Sequence, residues 1–132
     1  MTILILYIVT AGVILVADAI ALPTLIKPVF ERHVGDILAD PIRLAPAAVF
    51  YLFYAAAVVW LVSLPALDGG SLWRVALNGA VLGAAAYGTY EFTNLATIRG
   101  WSWQMVATDL TWGTLLTAAA AVAGVAVARA VG

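Results

Sequence analysis

"YGTYEFTNLATIRGW", residues 87–101, begins as the end of a long apolar run and finishes in a turn. Its first half carries Tyr87, Tyr90, Glu91, Thr93 and Asn94, at a depth where the residues before them would face lipid. Its last five residues, "TIRGW", contain Arg99 and Gly100 and read as a tight connection. One span therefore ends here and another begins at about Trp103. So short a link makes the two antiparallel neighbours. A carboxyl group just inside a span must turn away from lipid, because exposing it there costs about 2.5–3.5 kcal/mol even on insertion scales. The stretch thus calls for a bundle of helices with a polar interior.

The rest of the chain agrees. Of its 132 residues 65% are hydrophobic and 10% charged, and the mean hydropathy is +1.08. A water-soluble domain of this size could not hide that much apolar surface, so the bilayer is the solvent. Four apolar runs are long enough to cross it, at about 3–22, 46–67, 72–96 and 103–128. The first run lacks the basic n-region of a cleaved leader and reads as a span. "LDGGS" (67–71) is a second tight turn. The expected architecture is all-α: a single transmembrane domain, residues 1–132, built as a four-helix bundle.

Between the first two spans the pattern changes. Phe30, Val34, Ile37 and Leu38 share one helical face, and Glu31, Arg32, His33, Asp36 and Asp40 share the other. That is an interfacial amphipathic helix, punctuated by Pro23, Pro28, Pro41 and Pro46. It reads either as a surface tie or as a lid. Side A denotes the end with Met1, the 67–71 turn and Gly132, and side B the other. Side A then holds Arg74 and Arg129, and side B holds Lys27, Arg32, Arg43 and Arg99. The positive-inside rule makes side B cytoplasmic.

Composition also excludes. A net charge of −1 gives no nucleic-acid footprint. With no cysteine there are no disulfides, thiolate metal sites or cysteine nucleophiles. His33 is the only histidine, and the Glu-x-x-His pair of di-iron bundles is missing. No metal or other cofactor is called for.

The polar residues concentrate in the B half. Asp18 sits near the B end of the first span, Glu91 and Asn94 near the B end of the third, and Asp109 early in the fourth. At 1.5 Å per residue all lie roughly 5–10 Å below the same surface. Tyr51 and Tyr54 enter at that level from the second span, with Trp101, Trp103 and Trp112 around it. Gly79, Gly83, Tyr87, Tyr90, Glu91 and Asn94 fall within about 120° of one helix face. The Gly79/Gly83 pair lets another backbone approach that face. On the fourth span Asp109, Gly113, Leu116, Ala120 and Gly124 share a face, and on the first Tyr7, Ala11, Ile14 and Asp18 do. The candidate ligand-binding residues are therefore Asp18, Tyr51, Tyr54, Tyr87, Tyr90, Glu91, Asn94, Asp109 and Trp112. Asn94 is expected to donate to Glu91, and Arg99 to fold back towards it. If Glu91 and Asp109 meet, they cannot easily both stay ionised and would share a proton. The threonines at 108, 111, 114 and 117 read as helix residues bonded to backbone.

The blocks "YGTYEFTNLATIRGW" and "DLTWGT" (109–114), with "LVADAIAL" (15–22), resemble the domain-of-unknown-function 2177 family of bacterial membrane proteins, over essentially the whole chain. The family's first helix commonly reads Asp-Ala-x-Trp-Leu, and Ala21 stands here in place of that tryptophan. The resemblance implies a multi-pass protein of the bacterial inner membrane and points towards lipid, without an established activity. Four functions fit the residues. The first is binding of a small amphipathic or lipid-like ligand. The second is acid–base chemistry on such a molecule by Asp18, Glu91 and Asp109. The third is proton-linked transport, in which a homo-oligomer would widen the narrow path of four helices. The fourth is a structural role for the acids in an accessory subunit beside a membrane protein partner. Polar residues fade towards side A, which weighs against a complete transport path.

Overall fold

The structure, a computed structural model, describes residues 1–39 and 41–132. Asp40, expected on the charged face of the amphipathic segment, lies outside the described residues. Among the described residues the framework is helical: α1 (Thr2–Ala21), α2 (Lys27–Val34), α3 (Leu44–Val58), α4 (Leu72–Thr97) and α5 (Trp103–Val131). The rods Thr2–Ile37, Leu44–Ala66 and Trp103–Val131 are long and apolar enough to cross a membrane. At 26 residues α4 is as long as a span requires. Asn78, Thr89, Glu91, Thr93 and Asn94 dilute its hydropathy.

Proline shapes two rods without ending them. The sequence places punctuation at Pro23 and Pro28, yet α1 runs into α2 through a single π-type turn, Leu22–Ile26. Pro23 has no N–H to donate and its ring crowds the preceding turn. Widening that turn relieves the clash and keeps the rod continuous. The same device recurs at Val59–Ser63, just before Pro65. Pro46 falls in the first turn of α3, where its missing N–H is harmless. The amphipathic segment is thus an extension of the first rod. It buries Ile26, Val29, Phe30 and Val34 against Met105 and Trp101. Ile37 and Leu38 remain outside that face because the helix tightens at Gly35 and ends.

Hydrogen bonds close the turns. Ser71 Oγ accepts from Trp73 N at 3.0 Å, and Ser102 Oγ from Met105 N at 3.2 Å; both are N-caps. Gly69, Gly70 and Gly100 take positive φ, so the chain reverses there without strain. Arg129, near the end of α5, donates to Ala66 O at 2.7 Å and to Gly70 O at 3.1 Å. It thereby satisfies carbonyls left open where the second rod stops.

α5 is the hub, packed along α4 and α1. The contact with α4 depends on glycine. A β-carbon at Gly79 would lie 3.0 Å from Ala118 Cα, and one at Gly83 would lie 2.6 Å from Gly113 O. The GxxxG face therefore meets α5, as its phase predicts. α1 contributes Leu6, Thr10, Ile14 and Asp18 to the interior. The first ten residues of α3 differ. They approach α1, and only Ala47 and Tyr51 among them are even half-buried.

Candidate functional site

The B half of the bundle holds three carboxyl groups, one from each of three helices. Asp18 is buried on α1, and Trp112 Nε1 of α5 donates to its Oδ1 at 2.7 Å. Glu91 is buried on α4, and Trp101 Nε1 donates to its Oε1 at 3.0 Å. Each buried acid is thus held by one indole. Each also keeps one oxygen without a partner, Oδ2 in Asp18 and Oε2 in Glu91. Asp109 is half-buried on α5 and lies within hydrogen-bonding reach of Glu91. A proton held between these two carboxyl groups would relieve their repulsion.

Tyrosines link the acids. Tyr51 stands beside Asp18 but leaves Asp18 Oδ2 without a donor. Tyr87 lies over Gly113, whose missing side chain makes room for the ring, and faces Asp18, Tyr51, Tyr54 and Asp109. Tyr54 is buried, and its hydroxyl shares a 2.7 Å hydrogen bond with Thr117 Oγ1. Thr117 is itself bonded back to Gly113 O at 2.7 Å. Thr114 bonds back to Leu110 O in the same manner. Phe50 stacks on Tyr54 at 5.3 Å and Tyr54 meets Tyr87 edge-on at 6.2 Å, so aromatic rings line the gap between α3 and α4.

Two sequence expectations change here. Asn94 does not serve Glu91. It is half-buried one turn beyond Tyr90, on whose hydroxyl it acts, while the Glu91 carboxylate accepts from Trp101. Nor does Arg99 fold back onto Glu91, since among the described residues the one ion pair is Lys27–Glu31, at 3.6 Å. Both differences follow from the turn. Gly100, at φ 91°, bends the chain so that Trp101 enters over Glu91 and Arg99 stays outside. Tyr90 is 54% exposed and packs against the Trp101 edge at 5.9 Å, at the rim of the cluster. Asp18, Tyr51, Tyr54, Tyr87, Glu91, Asp109 and Trp112 come together. Sequence reasoning placed Trp101 only around the polar level, not among the site residues, and read Thr117 as a helix residue only. The glycine directly before Trp101 was the readable sign that its ring could turn inward.

No three of His, Asp and Glu among the described residues stand close enough together to hold a metal ion. A surface concavity of about 230 Å³ lies at the opposite end, on side A, where Val62, Gly70, Arg74 and Asn78 are among its walls. His33 extends the B-side cap by a 3.0 Å hydrogen bond to Gln104.

The chain matches a family model described as "Predicted membrane protein (DUF2177)" over residues 3–126. No curated protein and no solved structure matches the chain.

Proposed function

Since the chain belongs to the DUF2177 family of membrane proteins, we propose that it binds a small amphipathic ligand from the membrane, whose polar head reaches Asp18, Glu91 and Asp109. The observation that carries this reading is the pair of open carboxylate oxygens, Asp18 Oδ2 and Glu91 Oε2, both buried. A buried acceptor without a donor costs about 1–3 kcal/mol. Fixing helix register would need one satisfied polar group, not three acids with two oxygens left open. A head group rich in N–H or O–H supplies the missing donors. Access from lipid would run between α3 and α4, where the first turns of α3 are largely exposed and Phe50 is 47% exposed beside Tyr54.

Mass spectrometry of molecules that copurify with the protein tests this. The parent should retain a species enriched over the bulk membrane extract. Asp18→Asn and Glu91→Gln should lose it while melting close to the parent, because an amide imitates a neutral acid in shape. Identical copurifying profiles in parent and variants would leave the acids a purely structural role.

A further inference from the structure

The buried polar atoms that lack a partner are not confined to the carboxyl cluster. Among the described residues they are Glu91 Oε2, Asp18 Oδ2, Thr10 Oγ1, Ser63 Oγ and Arg129 Nε. α5 serves as a ruler for their depth. Glu91 meets Asp109, and Asp18 is bonded to Trp112. Tyr54 and Thr117 share a hydrogen bond. Thr10 faces Gly124, where a β-carbon would lie 2.7 Å from its hydroxyl. Ser63 stands three residues before Ala66, whose carbonyl is bonded to Arg129. From Asp109 to Arg129 is about 30 Å at 1.5 Å per residue, the thickness of a hydrocarbon core. Polar groups thus recur along the whole interior, with the widest interval, from Thr117 to Gly124, about 10 Å. The fading of polar residues towards side A, expected from the sequence, does not hold inside the bundle. Thr10, Ser63 and Arg129 maintain the row, and Thr10 and Ser63 are fully buried.

We infer that this row is a proton path across the bundle, bridged by internal water, with the carboxyl cluster as its proton-holding end on side B. Internal water needs room and two to four polar partners, and unpartnered hydroxyls and carboxylate oxygens supply the partners. Proton relays are among the roles that ionisable groups inside a membrane bundle take. Protons enter from the side A concavity, one wall of which is Val62, next to Ser63. They pass by water and hydroxyl to Asp18, move onto the Asp109–Glu91 pair, and leave past Trp101. Each step moves one proton from a donor oxygen to an acceptor oxygen, and the membrane potential or pH difference drives the net flow. Oligomerisation is not needed, since the row lies within one chain. This inference does not rest on ligand binding, because water alone can fill the row.

The test uses the full chain in liposomes that enclose a pH-sensitive dye, with a potassium gradient and valinomycin to set the potential. The parent should acidify the lumen faster than protein-free liposomes do. Thr10→Val and Ser63→Ala should each slow this by about tenfold, a change that ~1.4 kcal/mol of added barrier produces. Thr10→Ser, which keeps the hydroxyl, should restore the rate, and Asp18→Asn should abolish it. Thr114→Val, off the row, should conduct like the parent, and matching melting curves would show that the variants are folded. A parent rate equal to that of empty liposomes overturns the inference. So does parent-like flux in both Thr10→Val and Ser63→Ala.

Discussion

Trp112 is the one residue whose indole donates to Asp18, and its removal should expose how the buried acid is held. Trp112→Phe leaves Oδ1 as open as Oδ2 already is, at an expected loss of about 1–3 kcal/mol. Replacing both partners by apolar groups removes the unmet demand as well as the bond. Trp112→Phe with Asp18→Leu should therefore melt closer to the parent than Trp112→Phe alone. Circular-dichroism melting in detergent checks the order, and a double variant less stable than the single would show that Asp18 has other donors. The partnership of Asp18 and Trp112 was half legible. Both were candidates by depth and phase, but a hydrogen bond across 94 positions has no local signal. Glu91 shows the reverse error, for Asn94 lay near in sequence and the actual donor sat beyond a turn.

At the scale of elements, helix α5 can serve as hub because glycines let α4 and α1 come close. Gly113→Ala would drive a methyl into the Tyr87 ring, onto its Cγ. Overpacking of that kind costs about 1–3 kcal/mol. Gly12→Ala, on α1, meets nothing within 4 Å. It should be neutral or stabilise by up to ~1 kcal/mol through helix propensity. The two melting temperatures should move in opposite directions from the parent or, at the least, differ in that order. Equal shifts would mean that α4 and α5 are not in the close register described here. The glycine stripe was readable from phase alone. The π-type turns at Leu22–Ile26 and Val59–Ser63 were not. A proline states that one backbone bond is lost, but packing decides whether the rod breaks or widens.

For the whole molecule, topology is the quantity to measure, since α4 is the least apolar of the four rods. If α4 crosses the bilayer, the 67–71 turn and the 97–101 turn emerge on opposite sides. The chain has no cysteine, so single replacements label without background. Asp68→Cys should react with an impermeant maleimide from one side of the membrane. Glu31→Cys, Asp36→Cys and Arg99→Cys should all react from the other, as these residues are exposed on the B-side cap. Reaction of Asp68→Cys and Arg99→Cys from the same side would mean that α4 does not span.

The membrane as solvent, the number of rods, the two glycine turns and the depth of the three acids follow from the sequence alone. They rest on local quantities: apolar run length, backbone freedom at glycine, and rise per residue. Only the tertiary structure decided which donor each acid meets, that α1 continues into the amphipathic segment, and that unpartnered polar atoms extend from Glu91 to Arg129. Those outcomes depend on the rotation of each helix about its axis and on how closely neighbours approach. Close packing between elements sets both, and no single stretch of the chain encodes them.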